Sequence, residues 1–158
     1  MAEDSQFQLV TFRLGEELYG VNIMDVKEIV KLQTIRAIPN APYYMVGILN
    51  LRSEIIPIID LHRRFHIGTE NGDVELDELE SGFIILNIQG AKIGIIIDKV
   101  SRVVTVNQSD VQEPPQMMGG IGSEYISGVV REEDSYLIIL NTQKLFESKE
   151  LQKIIEIQ

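Results

Sequence analysis

The chain contains no cysteine, no tryptophan and only two histidines in 158 residues. Without cysteine there is no disulfide framework, no thiolate zinc site and no thiol nucleophile, which fits a reducing, cytoplasmic compartment. Positive charge is also scarce: 14 Lys and Arg against 24 Asp and Glu leave a net charge of −10. A phosphate-backbone binder needs a positive footprint, so nucleic acid is not an expected partner, and neither is an anionic bilayer. No apolar run approaches the roughly 18 residues of a membrane span. The N-terminal Met1-Ala2-Glu3-Asp4 lacks the basic and apolar parts of a secretion signal.

Catalytic raw material is thin. Two histidines leave little for acid–base or triad chemistry. Gly120-Ile121-Gly122 lacks the strand, spacing and helix of a dinucleotide fingerprint, and no phosphate-cradling GK[ST] occurs. His62 and His66 are four apart and would share a helix face. With Asp60 they could begin the site of a small metal-dependent hydrolase. A third protein ligand and an HExxH glutamate are missing, and a solvated helix face is the more ordinary explanation. No catalytic residue, metal or cofactor is therefore expected.

What is present is β pattern, and it repeats. Hydrophobic residues make up 44% and charged residues 24% of an ordinary globular composition. Val10, Phe12 and Leu14 alternate with Thr11 and Arg13 as in a half-buried strand, and Leu18 to Ile23 resumes after a turn at Gly15-Glu16-Glu17. Ile23, Val26, Ile29 and Val30 fall at helical intervals, which predicts a short helical turn after this hairpin. Gly47–Leu51 and Ile55–Ile59 read as a second hairpin, with Asp60 capping a short helix that carries Leu61 and Phe65.

At an offset of 74 residues, Val10, Phe12, Leu14, Gly20, Val26 and Ile29 meet Ile84, Leu86, Ile88, Gly94, Val100 and Val103. At an offset of 81, Gly47, Ile58-Ile59, Asp60 and Phe65 meet Gly128, Ile139-Leu140, Asn141 and Phe146. The reading is an all-β protein with short helices, built as two similar β lobes over about 10–66 and 83–146. An acidic connector, 68–81, lies between them; no Lys or Arg occurs from Phe65 through Ala91. A C-terminal helix over 148–157, capped by Ser148, places Leu151, Ile154 and Ile155 on one stripe against a barrel. Two charges stand out. Glu28 interrupts an apolar stripe and Arg52 sits at a hairpin tip, each either a solvated tip or a polar anchor at a protein contact.

Gly20-Val21-Asn22-Ile23 with Val26-Lys27-Glu28-Ile29, Gly47-Ile48-Leu49-Asn50-Leu51-Arg52 and Ile56-Pro57-Ile58-Ile59-Asp60-Leu61 resemble the CheW family of chemotaxis coupling proteins. Gly94 to Val100 and Ser123 to Gly128 extend the resemblance, which covers about 7–150 as a single domain. It implies two five-stranded SH3-like β-barrels side by side. It also implies a non-enzymatic adaptor between the regulatory domain of the histidine kinase CheA and the cytoplasmic helices of methyl-accepting chemoreceptors, cytoplasmic and held at membrane arrays through those partners. The chain has no room for a kinase, and no receiver domain follows, so the stand-alone coupler is the expected form. Residues carried over by motif are Val26, Glu28, Gly47, Arg52, Gly94, Val100 and Val103, as partner-binding positions. Glu28 and Arg52 are expected to pair, and Val26, Val100 and Val103 to line a groove between the lobes that seats a receptor helix. The family usually has glycine after Asn-Leu-Arg, where this chain has Ser53; if that position needs positive φ, serine is strained there. Two other functions compete: a generic β-barrel binding module with other signalling partners, and the hydrolase built on Asp60, His62 and His66.

Overall fold

The computed structural model describes residues 5–65, 81–114, 123–132 and 135–156. Among the described residues, ten strands form two five-stranded sheets. In chain order they are β1 (Gln6–Leu14), β2 (Glu17–Asn22), β3 (Val26–Lys31), β4 (Met45–Leu51) and β5 (Glu54–Asp60), then β6 (Gly82–Ile88), β7 (Ala91–Ile97), β8 (Lys99–Asn107), β9 (Ile126–Glu132) and β10 (Ser135–Leu140). A one-turn helix α1 (Leu61–Arg64) follows β5, and α2 (Ser148–Glu156) ends the described chain.

The repeat is real, but the lobes are not contiguous. One sheet runs β8-β1-β2-β10-β9 and the other β3-β6-β7-β5-β4. Each sheet therefore combines the first hairpin of one repeat with the third strand and second hairpin of the other. The expected sub-lobes 10–66 and 83–146 are corrected on this point: β3, β4 and β5 leave their own hairpin and complete the opposite sheet. The joints are two antiparallel pairs, β1 with β8 and β3 with β6, and two parallel pairs, β5 with β7 and β10 with β2. In each parallel pair, a glycine of one repeat faces an isoleucine of the other, Gly94 opposite Ile58 and Gly20 opposite Ile139. A Cβ on Gly94 would lie 2.6 Å from the Ile58 Cδ1, so this glycine is what lets the exchanged strands come together.

Alternate residues explain the rest. Val10, Phe12 and Leu14 of β1 and Ile84, Leu86 and Ile88 of β6 turn into one apolar core shared by the two sheets. The opposite faces fill each sheet's own interior, with Phe83, Ile85 and Ile58 in one and Leu9, Val106 and Leu137 in the other. Strands buried on both faces read as continuous apolar runs, as β6, β7 and β10 do.

The spacing Ile23–Val26–Ile29–Val30 predicts helix and is overturned beyond its first residues. A 3₁₀ turn covers only Ile23–Asp25, capped by Asn22, whose Oδ1 accepts from the Met24 N–H at 2.9 Å, and β3 follows. Pairing with β6 imposes an alternation in which Val26, Glu28 and Val30 are half-buried and Lys27, Ile29 and Lys31 exposed. Asp60 does cap α1, its carboxylate accepting from the His62 N–H at 2.9 Å. Ser148 is the first residue of α2 rather than its cap; Glu150 reaches back to accept from the Glu147 N–H. Leu151 and Ile154 are buried against the shared core, while Ile155 is exposed. Most of the connector 68–81 lies outside the described residues.

Candidate functional site

All the candidate residues except Gly94, which lies on the central strand β7, sit on edge strands or at a tip beside one. β3 and β4 are the two ends of one sheet, yet Glu28 on β3 and Arg52 at the β4–β5 tip form an ion pair. The sheet has curled until its ends meet around the apolar interior. The Arg52 side chain is 70% exposed and that of Glu28 33%, so the pair contributes at most about 1 kcal/mol to folding. The turn that carries Arg52 is left-handed at both central residues, with φ of 49° at Arg52 and 69° at Ser53. That is the two-residue hairpin geometry usually given to Asn-Gly. Ser53 thus occupies a position that does need positive φ, and Arg52 is aimed by a strained turn. Next to it, Lys92 donates to Glu54 at 2.8 Å and holds its carboxyl below the ordinary range.

The remaining positions divide by burial. Gly47 and Gly94 are buried and present no surface. A Cβ on Gly47 would come 2.3 Å from the Arg36 carbonyl oxygen. Gly47 is therefore the gap through which residues 35–36 cross β4, with Arg36 and Ile48 exchanging backbone hydrogen bonds of 2.8 and 2.9 Å. Its repeat mate Gly128 performs the same service for Gln112 and Val129. Val26 and Val100 are half-buried against the shared core, each on a strand with a register shift, β3 against β6 and β8 against β1. Val103 is 49% exposed on β8, and its repeat mate Ile29 is 44% exposed on β3.

Among the described residues, a groove opens between the end of β3 and the start of β8, lined by Ile29, Val30, Lys31, Gly82, Lys99 and Val100. Of the expected groove residues Val26, Val100 and Val103, only Val100 lines this groove. Val26 lies at the far end of β3, and Val103 lies farther along β8 than the groove reaches. Ile29 and Lys31 replace them. Their signal was the alternation Lys27–Ile29–Lys31, hidden while the segment was read with helical spacing.

His62 is neither solvated nor available to a metal. Its side chain is 8% exposed, with Nδ1 3.0 Å from Asp60 Oδ1 and Nε2 3.1 Å from Asp98 Oδ2. Burial alone would lower its pKa; hydrogen bonds to Asp60 and Asp98, with their charges, outweigh that and raise it to about 9. Burial likewise pushes the Asp60 carboxyl up, but its bond to His62 holds it below the ordinary value. Asp98 also accepts from the Gly15 N–H at 2.6 Å, and its backbone N–H donates to Arg13 at 3.1 Å. The imidazolium thus ties α1 to the β7–β8 junction and the β1–β2 turn, with both ring nitrogens occupied. His66 lies outside the described residues.

Comparison with known proteins places this arrangement. A family model described as CheW-like domain matches residues 8–150. The chain is 62% identical over 154 residues to the chemotaxis protein CheW of Treponema pallidum (strain Nichols), covering 96% of this chain and 88% of that one. It is 33% identical over 144 residues to the chemotaxis protein CheW of Klebsiella aerogenes, covering 91% and 84%. A solved structure, the CheW scaffolding protein of Thermoanaerobacter tengcongensis, superposes with a TM-score of 0.82 at 36% identity, covering 94% of this chain and 92% of that one. The two curled sheets are SH3-like β-barrels side by side, and the chain belongs to the CheW-like domain family.

Proposed function

We propose that this chain is a non-enzymatic adaptor in chemotaxis signalling. It joins the regulatory domain of the histidine kinase CheA to the cytoplasmic helices of methyl-accepting chemoreceptors. The observation that carries the reading is the pair of repeat-related edge strands, β3 and β8, each with an exposed apolar residue, Ile29 or Val103. These are surfaces for proteins to grip, and two of them let two partners bind one chain together. The groove between the strand ends suits a receptor helix, whose apolar anchors recur at i, i+3, i+4 and i+7. Val100 and Ile29 meet such anchors there. Glu28, on the face of β3 opposite to Ile29, and Arg52 set the shape of a second contact surface, where the kinase docks. Gly47 and Gly94 act on binding only through the backbone they accommodate. The adaptor is cytoplasmic and reaches the membrane through its partners; no helix among the described residues is long and apolar enough to cross one.

Separate binding titrations of the CheA regulatory domain and a receptor cytoplasmic hairpin test this. Val100→Lys is expected to weaken receptor binding and to spare the kinase, with an unchanged melting temperature. Normal receptor binding by a folded Val100→Lys protein contradicts the groove assignment.

A further inference from the structure

A recess apart from that groove opens at one end of the barrel β8-β1-β2-β10-β9. Among the described residues it is a cleft of about 430 Å³ between the start of β1, the 3₁₀ turn before β3 and the segment after β10. Its apolar lining, Phe7, Leu9 and Ile139, belongs to the interior of that sheet. Asp25 is the only charged residue that lines it. Thr142, 3% exposed, donates its hydroxyl to Asp25 Oδ2 at 2.6 Å and so fixes the carboxylate. Asp25 Oδ1 has only a long contact of 3.5 Å with Gln143 Nε2. Among the described residues no cation forms an ion pair with Asp25. Lys27 and Lys144, the basic residues nearest in the chain to Asp25 and Gln143, do not line the cleft. Two carboxamides there have donors to spare. Asn22 uses its Oδ1 alone, on the Met24 N–H, and the Asn141 side chain caps nothing and makes no hydrogen bond among the described residues.

We propose that this cleft takes a lysine or arginine side chain presented by an extended segment of a partner protein. The inference does not depend on the adaptor reading. An unpaired carboxylate, held by a buried hydroxyl in a recess without a base, attracts a cation and can accept a charge-assisted hydrogen bond from it. A divalent metal needs more carboxylates than one. Lysine and arginine bring an aliphatic stem that lies along Phe7, Leu9 and Ile139 while the charge stays at Asp25. The peptide bonds on either side meet Asn22 and Asn141, since a carboxamide both donates to and accepts from a peptide group. Met24, in the same turn as Asp25, is 84% exposed. Its flexible thioether suits a protein surface rather than a free amine.

Asp25 has a structural use as well, since its bond to Thr142 ties the turn to the segment after β10. Asp25→Asn separates the two uses: it keeps an acceptor for the Thr142 hydroxyl and removes the charge. Backbone amide signals of the nitrogen-15-labelled full chain are followed by NMR while acetylated, amidated pentapeptides Gly-Ala-X-Ala-Gly are added, with lysine, arginine or norleucine as X. At least one of the two charged peptides is expected to shift the signals of Asn22, Asp25 and Thr142 saturably. Norleucine, which has the stem of lysine without its charge, is expected to bind about tenfold more weakly or worse. Asp25→Asn is expected to weaken the charged peptides by about the same factor at an unchanged melting temperature. The comparison of lysine with norleucine is made on the unsubstituted chain and stands whether or not Asp25→Asn folds. The assignment is overturned if neither charged peptide shifts these signals, if norleucine binds as tightly as the charged peptides, or if folded Asp25→Asn protein binds them like the parent.

Discussion

At the scale of single residues, Ser53 and the Glu28–Arg52 pair make opposite points. Ser53 holds φ of 69° in a turn whose preceding residue is also left-handed. A β-carbon in that region is unfavourable by about 1 kcal/mol relative to glycine. Ser53→Gly is therefore expected to stabilise the protein by about 0.5–1 kcal/mol, read as a higher midpoint in urea. No change, or a loss, would mean that the hydroxyl has a compensating partner. Glu28→Ala and Arg52→Ala, each removing half of an exposed pair, are expected to shift stability by less than about 1 kcal/mol. Loss of partner binding without loss of stability places the pair at an interface; a large drop in melting temperature places it in the fold. The partnership of Glu28 with Arg52 was legible in the sequence because the family motifs mark both positions. The burial of Gly47 and Gly94 was not, because a glycine needed at a contact and one needed for close packing look alike until the neighbours are known.

At the scale of elements, two charged groups pin short helices. Arg64 is 7% exposed; it donates to Glu150 at 2.6 and 2.7 Å and to the Leu145 carbonyl, with the rings of Tyr44, Tyr125 and Phe146 around its guanidinium. It fastens α2 to α1. Arg64→Ala leaves Glu150 and the Leu145 carbonyl without their donor and is expected to cost about 3 kcal/mol, seen as a lower melting temperature and as faster proteolysis of α2. Wild-type stability would show that α2 holds by its apolar stripe alone. The His62 clamp sets a pH dependence. Its pKa is raised in the fold to about 9, so the folded state holds a proton that the unfolded chain has lost above its ordinary value of about 6.5. That stabilisation is complete below about pH 6.5 and disappears as pH rises toward about 9. Thermal midpoints should fall across that window in the natural protein and stay flatter in His62→Gln. An identical slope in both proteins excludes the clamp as the cause. Neither helix anchor could be read from periodicity. Arg64 and Glu150 are 86 residues apart, and the two histidines suggested a metal or solvent because nothing in the sequence placed Asp98 beside His62.

At the scale of the whole molecule, the repeat was legible and its exchange was not. Alternation in β1 and β6, and the offsets of 74 and 81, survive folding intact because each repeat supplies the same five strands. Period and offset say nothing about which hairpin a strand joins, since any apolar strand can pair with any other. The exchange is decided by long-range fits such as Gly94 against Ile58. Its consequence is mechanical. Both sheets contain strands from both halves of the chain, and they share one apolar core, so neither barrel can unfold alone. A single cooperative transition is expected in urea by both far-ultraviolet dichroism and tyrosine fluorescence. Two separated transitions would contradict a shared core. A rigid, jointly stabilised pair of barrels is what an adaptor needs, because it fixes the distance and angle between two bound partners and raises their effective concentration to roughly the millimolar range.

The proposed action of this chain is to change a kinase without chemistry of its own. It is tested most directly by measuring phosphate incorporation into CheA in receptor-containing membranes while this protein is titrated in. Kinase activity is expected to change with the concentration of the chain and to saturate, and folded Arg52→Ala or Val100→Lys protein is expected to blunt the response. Activity indifferent to the chain at every concentration would contradict the adaptor account.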